Sequence, residues 1–335
     1  MNHQYIENCN LIKENKIKSQ YGVLDYSELP LELELDRICN FYSETLFLNQ
    51  DYGINPALFY FENSTSVNAV ASKQNNYYVV GIYFGTIVHL AEVFSNKNDL
   101  IVGSGMYEYL EFEGKLDIRI NELMYQQALH FTFYHEMAHL IQKSEFLESN
   151  LFENVKPEEN FNFNKHVCEL DADLFASLSI GSHSLQYAKS IFKENLTEEQ
   201  LEKILVIICS SALFYILSFQ NEDSKIYYKE NSHPHPVIRI TLIVFSIVSY
   251  VLQILKSDNY NFNLNSKDIV NKCLSFSSQI SSEMTDKDLI KNYKEIIGKE
   301  ADNIAKYIME VQEILNADDS FASNRWNQIA KKLNG

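Results

Sequence analysis

The first quarter of the chain changes from a helical to a strand-like pattern of apolar residues. Between Leu31 and Tyr42 the apolar positions recur at nearly helical spacing after Pro30, within a stretch over residues 1–50 that is predicted to be mostly helical. Three short segments rich in Val, Ile, Tyr and Phe then follow, separated by polar residues: Ala57–Glu62, Ser66–Ala71 and Tyr77–Phe84. This alternation predicts a small β-sheet.

Most of the remaining chain has a helical pattern. A short helix is predicted over residues 86–94, and the glycines in 96–118 predict loops, with a hairpin as one option. Helices are then predicted over residues 121–148, 165–180, 184–194, 197–219, 237–256, 266–282, 286–315 and 320–333. Polar connections separate them at 149–164 and 220–236. The chain is therefore predicted to have an α+β fold that is predominantly α-helical, with its small β-sheet near the N-terminus.

The pattern also divides the chain into three regions. Residues 1–56 form a predicted N-terminal helical region, 57–256 a central domain, and 257–335 a C-terminal helical region. Within the central domain, Ile204–Phe219 and Ile240–Leu255 carry no charged residue. A membrane span needs about 20 apolar residues, so we expect these shorter runs to be buried helices, with a membrane hairpin as the alternative.

Composition limits the partners that the protein can have. The formal net charge is −17, from 45 acidic and 28 basic residues, and such a surface repels nucleic acid phosphates. The five cysteines are scattered and odd in number, which is not typical of a disulfide framework. Residues 1–20 lack the apolar stretch of a secretory signal. We therefore expect a cytoplasmic protein that binds no nucleic acid.

The strongest chemical signal is the motif His-Glu-Met-Ala-His at residues 135–139. Histidines four residues apart lie on one face of a helix, so His135 and His139 can share one zinc ion. Glu136 is offset by about 100° around the helix, so its carboxylate lies beside the metal rather than on it. From there it can act as the general base that deprotonates a zinc-bound water.

A catalytic zinc site usually has a third protein ligand. The metzincin class has a histidine six residues after the second motif histidine, but Glu145 occupies that position. Thirty residues beyond His139, Glu169 can supply a carboxylate from a second helix, and His166 one turn earlier is its rival. Asp173, one turn after Glu169, can orient a ligand histidine from the second shell.

His-Glu-x-x-His followed by Glu-x-x-Ala-Asp resembles the gluzincin zinc metallopeptidases, the class that includes the HtpX-type and CAAX prenyl proteases. The segment Asn68–Ala71 and the strand after it also resemble that class, as does Ser232-His233-Pro234 followed by Arg239. The resemblance covers roughly residues 65–245. In its size and acidic composition the chain also resembles the Lit-type phage-exclusion peptidases, which are small cytoplasmic gluzincins without a signal sequence.

The resemblance implies a zincin-like fold in which an active-site helix carries His135 and His139. It makes Glu169 the third ligand and gives Asp173 and Arg239 supporting roles. It places His233 near the metal, either as a catalytic group that stabilises the oxyanion or as a removable extra ligand. The additional His235-Pro236 pair departs from the pattern, and His235 can have a supporting role or belong to a rigid turn. The resemblance further implies that strand 66–71 or 77–83 is a sheet edge that pairs with an extended substrate.

The sequence thus predicts a Zn²⁺-dependent endopeptidase that hydrolyses a polypeptide substrate. Two alternatives stay open: a non-catalytic zinc-containing binding or regulatory protein, and a zinc protease embedded in a membrane. An intact Glu136 favours catalysis, because a purely structural zinc site needs no base.

Overall fold

The computed structural model describes residues 1–19, 21–142, 151–152, 161–218, 225–258, 260–284 and 289–334. Within this part of the chain, helices dominate and a small sheet lies near the N-terminus, which confirms the predicted predominantly helical α+β class. The helices are α1 His3–Glu14, α2 Glu32–Leu48, α3 Phe84–Leu90, α4 Leu100–Gly103, α5 Tyr107–Glu113, α6 Ile120–Gln142, α7 Phe163–Phe192, α8 Glu198–Ser218, α9 Pro236–Ser257, α10 Ser266–Met284, α11 Leu289–Ala317 and α12 Ala322–Asn334.

The sheet has four strands in the order β1-β3-β2-β4. The strands are β1 Ala57–Glu62, β2 Ala69–Gln74, β3 Tyr77–Tyr83 and β4 Leu151–Phe152. Strand β3 pairs in parallel with β1 and antiparallel with β2. The β2–β3 hairpin turns through Asn75 and Asn76, whose φ angles of 48° and 69° suit the tight two-residue turn that such hairpins favour.

The sheet contradicts the expected substrate edge. Strand β3 lies inside the sheet, and β2, which begins three residues later than predicted, pairs on its outer side with β4 through Val70 and Ala71. Strand β4 is only two residues long, and a segment this short carries no period-two pattern by which it could be predicted.

The central helix α6 is buried along nearly its whole length. It packs on β2 and β3 on one side and on α7 and α8 on the others. Its apolar residues therefore surround the helix rather than form one stripe, as expected for a helix in the interior. Helix α7 in turn packs on α9, and α8 contacts α6, α7 and α9.

The two uncharged runs lie in α8 and α9, and both helices are long and apolar enough to cross a membrane. In α8, 83% of the apolar window is buried inside the fold, and in α9 the buried share is 56%. Burial against α6, α9 and α10 accounts for the composition of α8 as a core helix.

Two predicted elements differ from the structure. The segments 165–180 and 184–194 form one helix, α7, because Gly181 lets α7 approach Tyr250 of α9 closely rather than ending the helix. The hairpin option in 96–118 is wrong, since α4 and α5 occupy that stretch. Its glycines lie at the ends of these short helices, where glycine is also favoured.

Several predicted boundaries lie outside the described residues. They are the end of the helix predicted over 121–148, most of the connection 149–164, the first part of the connection 220–236 and the start of the helix predicted over 286–315. The C-terminal helices α10, α11 and α12 pack on α8, α9 and α7, respectively.

Candidate metal centre

Helix α6 brings the two motif histidines together. Because they are four residues apart on one buried face, their Nε2 atoms lie 3.1 Å from each other. The ring planes are nearly perpendicular, at 88°. Both side chains are fully inside the protein, with exposed fractions of 0% for His135 and 1% for His139.

Helix α7 adds a carboxylate from the facing side. Glu169 Oε2 lies 3.3 Å from His135 Nε2, and Glu169 Oε1 lies 3.8 Å from His139 Nε2. One ligand atom from each of the three residues lies within 4.8 Å of the others. This buried His-His-Glu group can therefore hold a metal ion.

The surroundings of the Glu169 carboxylate are compatible with a bound cation. Its Oε2 atom is buried and accepts no well-aligned hydrogen bond from the described residues. Removing a carboxylate oxygen from water without a compensating partner is costly, and a bound cation is one way to offset that cost. The donor set of two imidazoles and one carboxylate also suits a divalent transition metal.

The other ring nitrogen of His135 is held by a buried ion pair. Its Nδ1 lies 3.0 Å from Asp173 Oδ1. Arg239, six residues beyond His233 on α9, donates to both oxygens of Asp173 at 2.8 Å. A carboxylate at this distance favours Nδ1 as the protonated nitrogen of a neutral His135, which leaves Nε2 facing Glu169 and His139.

The other ring nitrogen of His139 faces Gln142, one turn further along α6. His139 Nδ1 and Gln142 Oε1 are 3.1 Å apart. The amide nitrogen of Gln142 donates to the carbonyl oxygen of Cys168 and to Asp171 Oδ2, both at 2.8 Å. Each of the two motif histidines thus has its own supporting partner.

A third imidazole borders the group from the loop before α9. His233 Nε2 lies 3.4 Å from Glu169 Oε1, and the Nδ1 atom of His233 lies 3.0 Å from the Ser232 hydroxyl. His235, by contrast, caps α9: its Nδ1 accepts from the backbone N–H of Val237 at 3.1 Å, and Pro236 begins the helix.

His166, the alternative third ligand, forms its hydrogen bonds with groups outside the His-His-Glu group. Its Nε2 lies 2.7 Å from the carbonyl oxygen of Asn231, and its Nδ1 lies 2.6 Å from the Tyr307 hydroxyl. A carbonyl oxygen can only accept, so Nε2 carries the proton and Nδ1 accepts from Tyr307. Both nitrogens of His166 are therefore engaged away from the His-His-Glu group.

Glu136 is buried beside the group, with an exposed fraction of 1%. Its charge acts on Tyr83 at the end of β3, whose pKa is raised by burial first and then by Glu62 and Glu136. Glu136 follows His135 in the sequence and is offset from it by about 100° around α6, and it is not among the three residues whose ligand atoms converge.

The charges of the cluster are strongly coupled. Burial opposes protonation of His135, but the bonds to Asp173 and Glu169 outweigh it and raise the pKa of His135 to about 10. Burial lowers the pKa of His139 to about 4. Burial also acts to raise the pKa of Glu169, yet His233 and His139 hold it well below its usual value. In the metal-free protein at neutral pH, these shifts favour a protonated His135, a neutral His139 and an ionised Glu169.

The sequence does not predict two residues that support His139: Gln142 and Asp171. Gln142 is three residues after His139 and hence on the same helix face. This spacing is the only feature of the local sequence that could indicate a contact between them. Asp171 lies between Glu169 and Asp173 in an acidic segment, and nothing in the sequence separates it from a solvated residue. In the structure all three acidic side chains are buried.

Comparisons of the chain with protein-family models, with curated proteins and with solved structures gave no match. The functional interpretation therefore depends on the site itself.

Proposed function

We propose that the protein is a zinc-dependent endopeptidase of the gluzincin type, with His135, His139 and Glu169 as the metal ligands. The proposal depends on one observation. Ligand atoms of three buried residues lie close together beside α6, and the same helix carries Glu136. We further propose that it acts in the cytoplasm and that its substrate is a polypeptide.

The separations of the ligand atoms support zinc as the metal. Zinc bonds to nitrogen and oxygen of about 2.0 to 2.1 Å place two ligands of a tetrahedral site about 3.3 to 3.4 Å apart. His135 Nε2 and His139 Nε2 are 3.1 Å apart, Glu169 Oε2 lies 3.3 Å from the former, and Glu169 Oε1 lies 3.8 Å from the latter. These separations are close to the tetrahedral distance, which supports zinc as the metal.

The chain's own residues then have distinct tasks in the proposed hydrolysis. A zinc ion, when bound, supplies Lewis acidity, which polarises a carbonyl group and makes water more acidic. Glu136 takes the proton from the attacking water and delivers it to the leaving amine. Asp173 holds the orientation of His135, and His233 can donate a hydrogen bond to the oxyanion that develops on the scissile carbonyl.

Replacement of Glu136 by Gln tests this proposal most directly. The amide keeps the size of the side chain but cannot accept a proton at neutral pH. Zinc content should stay at one equivalent per chain, while hydrolysis of fluorescein-labelled casein should fall at least about 10²-fold. Glu122→Gln is a matched control, since Glu122 lies on the same helix and accepts from Ser95. If Glu136→Gln cleaves as fast as the parent, the mechanism is wrong.

One observation favours a second candidate, a protein that holds zinc without catalysis. The exposed fractions of His135, Glu136, His139, Glu169 and His233 are all 2% or less. Structural zinc sites are closed, whereas catalytic ones keep a position open to water and substrate. Endopeptidase action requires that this site open. Stoichiometric zinc with no hydrolysis of casein by the parent protein would favour the second candidate.

A further inference from the structure

The proton position on His139 decides whether this residue can bind a metal. A neutral imidazole ligates through the nitrogen that carries no proton, and the proton must then lie on the other nitrogen. His139 Nε2 faces the His-His-Glu group, 3.1 Å from His135 Nε2. The ligating form therefore requires that His139 Nδ1 carry the proton and that an acceptor face it.

The acceptor is the side-chain oxygen of Gln142, and the surroundings of the amide allow only this orientation. The two atoms at the other end of the amide are the carbonyl oxygen of Cys168 and the Oδ2 atom of Asp171, each 2.8 Å away. A carbonyl oxygen accepts hydrogen bonds only, so the Cys168 carbonyl by itself requires a donor at this end of the amide. The amide nitrogen must therefore face these two atoms, so the amide oxygen faces His139.

Asp171 is in turn held by the C-terminal helix. The backbone N–H groups of Ala322 and Ser323 donate to its two oxygens at 2.7 and 3.1 Å, and the Ser323 hydroxyl donates as well. Asp171 thus supplies the carboxylate that caps the N-terminus of α12, where negative charge is favoured.

Further contacts fix α12 at the same place. Arg325 donates to the carbonyl oxygen of Ile141, in the last turn of α6, at 2.9 Å, and to the carbonyl oxygen of Tyr52 at 2.6 Å. Trp326 packs edge-on against Phe175 of α7, with 5.5 Å between the ring centres. The contacts of α12 therefore include the last turn of α6, which carries Gln142, and the part of α7 near Asp171.

We propose that Gln142 and Asp171 are positioning residues for the metal ligand His139, and that through Asp171 the docking of α12 is coupled to metal binding. The chain of contacts runs from His139 to Gln142, then to Asp171, and ends at Ala322 and Ser323. This inference rests on the proposed metal site but not on peptide hydrolysis. It predicts that metal affinity and the docking of a helix more than 170 residues away in sequence change together.

Gln142→Leu removes the acceptor for His139, and Gln127→Leu is its matched control. Both glutamines lie on α6 and both have an exposed fraction of 6%. Gln127 is about 18 Å from His139 along the helix. Competition with a chromophoric chelator should show zinc affinity about 10- to 100-fold weaker for Gln142→Leu and unchanged for Gln127→Leu. The visible spectrum of bound Co²⁺ should change only in Gln142→Leu, because it reports ligand geometry.

The proton position can also be measured in the parent protein, with His139→Gln used only to assign the signal. In the ¹⁵N NMR spectrum of the metal-free parent, His139 should carry a proton on Nδ1. A proton on Nε2 instead would overturn the role of Gln142.

Hydrogen exchange tests the coupling to α12. Zinc should slow exchange of the Ala322 and Ser323 amides in the parent, and the effect should disappear in Gln142→Leu. Ser323→Ala, which removes only a hydroxyl donor, should weaken zinc binding by a smaller factor than Gln142→Leu. Parental zinc affinity and Co²⁺ spectrum in Gln142→Leu would refute the inference. A parent that binds zinc but cleaves no casein would refute the endopeptidase alone.

Discussion

Glu169 and His166 lie one turn apart on α7, and their neighbours assign them different tasks. Glu169 turns toward the motif histidines with an oxygen that accepts no well-aligned hydrogen bond from the described residues. The two ring nitrogens of His166 form hydrogen bonds with Tyr307 and Asn231. His166 thereby ties the start of α7 to α11 and to the loop before α9. The difference between the two residues lies in direction rather than in burial, since both are buried.

Replacement of Glu169 and of His166 should therefore have different effects on zinc binding and on stability. Glu169→Ala should abolish stoichiometric zinc binding, because it removes the only carboxylate in the His-His-Glu group. His166→Ala should keep one zinc per chain and lose stability instead, since it leaves Tyr307 and Asn231 without their partner. Elemental analysis after dialysis measures the zinc, and urea unfolding measures the stability. Retained zinc in Glu169→Ala, with loss in His166→Ala, would transfer the ligand role to His166.

At the scale of elements, the contact between α7 and α9 sets the position of the site. Helix α7 carries Glu169 and Asp173, whereas α9 carries Arg239, so the ion pair that supports His135 forms only if the two helices are correctly spaced. Gly181 allows that spacing. A Cβ atom there would lie 2.8 Å from Cδ1 of Tyr250 and 3.3 Å from the carbonyl oxygen of Ile247.

Gly181→Ala should consequently destabilise the protein by about 1 to 3 kcal/mol, as overpacking does in other cores. Gly298→Ala is the matched control within a helix, because a Cβ atom there meets nothing within 4 Å. It should stabilise by about 0.4 to 1 kcal/mol through the lower entropy of the unfolded chain. Urea unfolding of both variants provides the test. Equal stabilisation by both would show that α7 and α9 are not in close contact at Gly181.

At the scale of the whole molecule, the candidate metal group joins parts of the chain that are distant in sequence. The three candidate ligands lie on α6 and α7. Helices α9 and α12 donate hydrogen bonds to Asp173 and Asp171, respectively, which lie beside these ligands. A metal that binds this group binds only the folded chain, so its binding free energy adds to the free energy of unfolding. Metal binding through His135 Nε2 also requires that this nitrogen lose its proton.

Zinc should therefore raise the stability of the parent protein. Free zinc at 1,000 times the dissociation constant should add about 4 kcal/mol to the free energy of unfolding. Thermal melts with zinc and with a chelator measure the effect. A variant with both His135→Ala and His139→Ala should melt at the same temperature in the two solutions. Identical melting of the parent in zinc and in chelator would contradict the proposed metal site.

The sequence alone determined the features that depend on neighbouring residues. Helical periodicity places His135 and His139 on one face of a helix and Glu136 beside them, whatever surrounds that helix. The three main strands and most of the long helices follow in the same way from local patterns of apolar residues, which confirms the fold class at its coarse level. The zincin relationship and the endopeptidase activity stay predictions.

Only the tertiary structure decided which distant groups meet. It turned Glu169 rather than His166 toward the histidines, joined Gln142 to Asp171 and α12, and placed the short β4 on the outer side of β2. Each of these contacts depends on the angle and distance at which two elements pack. Those are set by side chains of both elements at once, so no local pattern in the sequence encodes them.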